Sequence, residues 1–185
     1  LLTAGVVLIG LALSLLLLFI KREISSRLLA LYTLVLAIGM AEPLIHAARL
    51  SSRFTAYYGA MSFFYGPMLF LYIKNALAAS PKFSGRDIFH FGPAILYFIL
   101  VFISPENGNA NKEDDVTVSF VLYELLFYQI FYYTIKSFSL WTRAYSVASK
   151  QPVMMMRLTF LKYLLIFSAM LFASSFVFVH VFVMP

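Results

Sequence analysis

Six apolar runs, each about the length of a helix that crosses a bilayer, constrain this chain more than any other feature. A hydrocarbon core of about 30 Å is crossed by roughly 20 helical residues, and the runs 1–20, 28–50, 56–77, 88–104, 120–141 and 158–184 meet that length or come close to it. Lipid offers no partner to a bare peptide N–H or C=O, so each run is expected to be helical. Composition argues against a water-soluble globule: 62% of the residues are apolar and 12% charged, about half the charged share of an ordinary soluble domain. The expected fold is an all-α integral membrane protein, a single helical domain over 1–185 with no internal repeat. The first run spans and is followed by no small-residue cleavage site, so it reads as a span and not as a signal peptide.

The charges orient the bundle. Lys21, Arg22 and Arg27 flank the first loop, Lys74, Lys82 and Arg86 the third, and Lys136, Arg143, Lys150, Arg157 and Lys162 the fifth, whereas the even loops hold Arg49, Arg53 and Lys112. Lysine and arginine accumulate on the cytoplasmic side. The odd loops are therefore expected inside, the N-terminus and the acidic loop 106–115 outside. Tyr57 and Tyr58 fall at the outer edge of the third span, and Trp141 and Tyr145 at the inner edge of the fifth, as interface anchors do. The nearly continuous aromatic run 127–133 reads as bulk in a bundle core. The triplet Met154-Met155-Met156 in the fifth loop, 142–157, points three ways around a helix, which suits packing better than a soft-metal site.

The stretch 63–93 is a hairpin of two spans. Gly66-Pro67 interrupts the first arm, where proline removes one backbone hydrogen bond. Two readings are open: a hinge between two populated conformations, or a static bend. The second arm opens with Asp87, His90 and Pro93, a polar and proline-bearing start that suits a helix N-terminus. His90 is expected to act there as a neutral cap or as a hydrogen-bond partner of the third span. The pattern Phe64-Tyr65-Gly66-Pro67-x-Leu69-x-x-Tyr72-x-Lys74, with His90-Phe91-x-Pro93 following, resembles the multi-pass membrane region at the N-terminus of AraC-type transcriptional regulators of the Bacteroidetes. Phe70 stands where that pattern has tyrosine. The resemblance implies a seven-span sensor, of which six spans lie in this sequence, then a cytoplasmic pair of helix-turn-helix units. On that expectation a seventh helix and the DNA-binding effector would follow Pro185, DNA would be contacted only through that effector, and the protein would act as a homodimer. It also implies a fixed structural job for the His-Phe-x-Pro element.

Ionisable groups inside a membrane call for a partner or a wet cavity. Glu42 and His46 stand four apart on the second run, with Pro43 between them, while Glu124 enters the fifth and His180 ends the sixth. With Gln129 deeper, and Tyr57, Tyr58 and Tyr123 as further donors, they form a candidate pocket open to the outside for a small molecule or a membrane-protein signal. The bland alternative pairs Glu42 locally with His46 or Arg49 and leaves Glu124 and His180 at the headgroup boundary. A metal alternative puts zinc on Glu42 and His46, since Glu-x-x-x-His presents two ligands on one helical face. The absence of cysteine removes disulfides and thiolate ligands. No P-loop, dinucleotide fingerprint, catalytic triad or His-Glu-x-x-His is present, so neither a cofactor nor an enzymatic activity is expected. The runner-up function is a transporter whose pathway is lined by Glu42, Glu124 and Gln129.

Overall fold

The computed structural model describes residues 2–20, 23–41, 44, 60–103, 112–148, 152–178 and 180–181, and among them the chain is helical with no strand. The α-helices are α1 (Leu2–Ile20), α2 (Ile24–Gly39), α3 (Tyr65–Leu77), α4 (Gly92–Ile103), α5 (Lys112–Ala148) and α6 (Pro152–Phe178), and a 3-10 turn, Gly85–Phe91, leads directly into α4. The stretches Gly85–Ile103 and Met154–Phe178 are long and apolar enough to cross a bilayer, whereas the apolar helices Thr3–Phe19 and Ile24–Gly39 are shorter than that measure.

Several boundaries differ from those read in the apolar runs. The second run was expected to continue to residue 50, yet α2 ends at Gly39 and a turn follows at Met40 and Ala41. Pro43 stands four residues beyond Gly39 and has no N–H to offer the Gly39 carbonyl. The third run is broken: residues 60–62 are helical, Phe63 and Phe64 turn, and α3 begins at Tyr65. The fifth helix exceeds its run at both ends, because 112–148 form one helix of 37 residues. Lys112–Asp115, expected in an outer loop, therefore belong to its first turn. α6 likewise starts at Pro152, six residues before the apolar run at 158, with proline at the first helical position, where its missing N–H is not needed. The expected fifth loop, 142–157, is thus helical except at 149–151, which lie outside the described residues, and Met154-Met155-Met156 are helical. Polar residues did not end these helices; apolarity marks depth, not helicity.

α3 is the centre of the bundle. It packs against α2 on one side and α5 on the other, α1 lies against α2, and α6 against α5. Leu69, Leu71 and Ile73 are fully buried, and the core around them takes in Leu28 and Tyr32 of α2, Tyr72 and Ala76 of α3, and Leu161 and Leu165 of α6. A second cluster joins Phe63, Ala94, Leu126, Ile130 and Phe172. Hydroxyls join helices where side chains are small: Ser14 Oγ donates to the Ala30 carbonyl at 2.8 Å, and Tyr32 Oη lies 2.8 Å from Ser168 Oγ. Arg157 Nη1 donates to the Ala76 carbonyl at 3.1 Å, so a cation sits on the C-terminal end of α3, where the helix dipole is negative. The outward surface is apolar: Leu8, Ile9, Phe89, Phe102, Phe131, Phe167 and Met170 are all exposed.

Candidate functional site

α5 and α6 form an antiparallel hairpin whose contacts run from Trp141 against Leu158, through Phe127 against Phe176, to Glu124 against His180. Glu124 and His180 meet at the end farthest from the 149–151 connection, with His180 Nε2 2.6 Å from Glu124 Oε1. His180 Nδ1 lies 2.9 Å from the Phe176 carbonyl. That carbonyl can only accept, so Nδ1 carries a hydrogen. Nε2 then faces a carboxyl with two permitted states: imidazolium donating to carboxylate, or neutral imidazole accepting from carboxylic acid. In either state one hydrogen bond joins the two side chains. Phe176 packs 3.9 Å from the imidazole, and Phe127 meets Phe176 edge-on at 5.0 Å, so one flank of the pair is aromatic. Each side chain keeps about a quarter of its surface exposed, 27% for His180 and 26% for Glu124.

Of the residues proposed for a pocket, the fold brings Glu124 and His180 together. Gln129 stands five residues beyond Glu124, roughly 140° away around the helix at 3.6 residues per turn, and points at α3. Its Nε2 donates to the Phe63 carbonyl at 3.2 Å. That carbonyl is the one Pro67 orphans, since the residue four positions on has no N–H; Gln129 replaces the missing donor from a neighbouring helix. Its Oε1 is buried without a partner among the described residues. Glu42, His46, Tyr57 and Tyr58 lie outside the described residues, as does the side chain of Tyr123. Among the described residues no three His, Cys, Asp or Glu side chains gather as a metal site.

The 3-10 turn is built by a capping box. Ser84 Oγ accepts from the Arg86 amide at 3.4 Å, and the Ser84 amide donates to Asp87 Oδ2 at 2.9 Å. Asp87 is buried, and its other oxygen takes Lys74 Nζ at 2.6 Å, tying this turn to the end of α3. The cap is therefore Ser84 with Asp87, not His90. His90 Nδ1 lies 2.9 Å from Tyr133 Oη on α5, and its ring meets Phe70 of α3 edge-on at 5.3 Å. The hydrogen-bond partner expected on the third span is on α5; α3 supplies the ring contact. Gly66 permits this crossing, because a Cβ there would lie 2.9 Å from Tyr133 Cδ2 and 3.3 Å from the Ile130 Cα. Pro93 sits at the second position of α4, as its fixed φ favours. Sequence reasoning named Lys74 without its partner Asp87, and missed Ser84 and Tyr133. Ser84-x-x-Asp87 had a capping-box spacing that could have been read; nothing in the sequence marks Tyr133 among its aromatic neighbours.

The chain matches no family model, no curated protein and no solved structure.

Proposed function

We propose that this chain is the membrane-embedded sensory domain of an AraC-type transcriptional regulator in a bacterial inner membrane, with six of seven spans in this sequence and its N-terminus outside. The membrane part is supported by the exposed apolar surface of α1, α4, α5 and α6, by the two stretches long enough to span, and by the asymmetry of Lys and Arg between odd and even loops. The transcriptional part rests on the resemblance of the Phe-Tyr-Gly-Pro and His-Phe-x-Pro elements to that family. The effector that binds DNA, and its action as a homodimer, come with that resemblance.

The observation that carries the sensing role is the 2.6 Å contact between Glu124 and His180. A charged or hydrogen-bonding signal, whether a small molecule or a membrane partner, can compete for that pair and reset how α5 sits against α6. The α5 face a few turns below holds Gln129, Ile130 and Tyr133 against the α3 bend and His90. A ligand biases such a packing equilibrium only through its different affinity for the two arrangements.

Replacing Glu124 by Gln or His180 by Phe in the chromosomal gene, followed by transcript profiling, tests the reading. A locked signal is expected to change a small set of transcripts by a factor within roughly the 5–150-fold range of allosteric couplings. Unchanged transcripts together with altered uptake of a solute would instead identify a transporter.

A further inference from the structure

The opposite end of the α5–α6 hairpin is electropositive and aromatic. From residue 125 to 185 the chain carries five basic residues, Lys136, Arg143, Lys150, Arg157 and Lys162, and no acidic one. Two of these are engaged: Arg157 on the Ala76 carbonyl, and Lys136 over the Tyr132 ring at 5.0 Å. Lys162 has no carboxylate partner among the described residues. It lines an open cleft of about 320 Å³ together with Trp141, Tyr145, Met155, Thr159 and Tyr163, a volume at the small end of ligand sites, which run roughly 300–1,000 Å³.

The cleft is held by helical spacing. Trp141 and Tyr145 stand four apart on α5 and stack at 5.2 Å; Met155, Thr159 and Lys162 stand at i, i+4 and i+7 on α6. Trp141 Nε1 donates to the Leu158 carbonyl at 2.9 Å, which fixes the indole as one wall. Thr159 Oγ1 donates to the Met155 carbonyl at 2.9 Å, so the remaining donors are an ammonium and two phenols, a set for an anionic oxygen. From Lys162 an exposed apolar stripe runs along α6 through Tyr163, Phe167 and Met170, with Phe160 beside it. A cation above an exposed apolar stripe is complementary to a molecule with an anionic head and a hydrocarbon tail.

We propose that this cleft is a binding site for an anionic phospholipid, its phosphodiester on Lys162 and the tyrosine hydroxyls and its acyl chain along the Phe160–Met170 stripe. The proposal rests on the membrane part of the function above and is independent of the transcriptional part. The charge bias of the hairpin alone would attract acidic lipid diffusely; the site is distinguished by placing the selectivity in one residue.

Trp141 is the chain's single tryptophan, so its fluorescence reads the cleft directly. The protein is reconstituted in phosphatidylcholine vesicles into which phosphatidylglycerol, brominated near the headgroup end of its acyl chains, is titrated; brominated phosphatidylcholine serves as the comparison. The bromines are expected to quench Trp141 saturably and at a lower mole fraction for the anionic lipid. Lys162→Gln is expected to weaken that preference about fivefold, the effect of one basic residue at a membrane surface, and Arg86→Gln, an equal loss of charge away from the cleft, to leave it unchanged. Equal quenching by both lipids, or an equal effect of the two substitutions, overturns the site while leaving the membrane reading intact. Quenching by neither lipid overturns both. Displacement by inorganic phosphate would assign the cleft to a soluble anion and overturn the lipid assignment.

Discussion

At the scale of single residues, the most informative contact is the one between Gln129 and the carbonyl of Phe63. Proline in a helix leaves an acceptor without its donor, and inside hydrocarbon water cannot supply one. Gln129→Leu should therefore destabilise the protein by about 1 kcal/mol, the usual scale of an interhelical hydrogen bond or somewhat above it. Pro67→Ala restores the N–H that can satisfy Phe63 from within the helix, so the penalty of Gln129→Leu should shrink in that background. A double-mutant cycle by denaturant titration in detergent measures the coupling. Gly66 gives a second residue-scale expectation. Gly66→Ala places a methyl against Tyr133 and the backbone of Ile130, and should lower stability by about 1–3 kcal/mol through overpacking. Gly5, with open space around its Cβ position, is the control: Gly5→Ala should be neutral or stabilising by up to about 1 kcal/mol through helix propensity. That proline bends the chain here was legible in the sequence; that a glutamine more than sixty residues away completes the bend was not, since spacing gives depth along a helix and says little about rotation about its axis.

At the scale of elements, the turn between α3 and α4 is held by one carboxylate with two tasks. Asp87 receives the Ser84 amide and the Lys74 ammonium on its two oxygens, so its loss removes a cap and an ion pair together. Lys74, whose side chain is 41% exposed, contributes the weaker part, because water screens a half-exposed pair. Asp87→Ala should accelerate amide exchange across Gly85–Phe91 by a factor corresponding to about 1–2 kcal/mol, and Lys74→Ala by distinctly less. Equal effects from both substitutions would show that the ion pair and not the cap holds the turn. The existence of this hairpin was readable from Gly66-Pro67 and His90-Phe91-x-Pro93, yet its ends were not. Apolar runs record which residues avoid water, and α5 and α6 continue as helices well beyond that limit because Lys112–Asp115, Thr142–Ala148 and Pro152–Arg157 are compatible with helix while preferring a wet surface.

At the scale of the whole molecule, a helical bundle with α3 at its centre brings three kinds of polar contact to three levels. Glu124 and His180 close one end of the α5–α6 hairpin, Gln129 and the His90–Tyr133 pair sit between, and the Trp141–Lys162 cleft opens at the other end. Convergence of Glu124 and His180 was an expectation from depth alone; the antiparallel pairing of α5 and α6 brings the two to a similar level, and rotation about each helix axis, which depth does not give, turns them toward each other. Glu42 and His46 lie beyond the described residues, so their part in that site is a matter for mutagenesis.

Placement across a membrane underlies the sensing reading and the lipid site alike, and single-cysteine labelling tests it most directly. The chain contains no cysteine, so each introduced thiol reports alone. Lys82→Cys, Asn109→Cys and Ser149→Cys place one thiol in the third, fourth and fifth loops. With a membrane-impermeant maleimide applied to cells whose outer membrane has been opened, Asn109→Cys should label while Lys82→Cys and Ser149→Cys remain unreacted until the inner membrane is lysed. Labelling of all three before lysis, or of Lys82→Cys and Ser149→Cys in place of Asn109→Cys, would contradict the proposed topology.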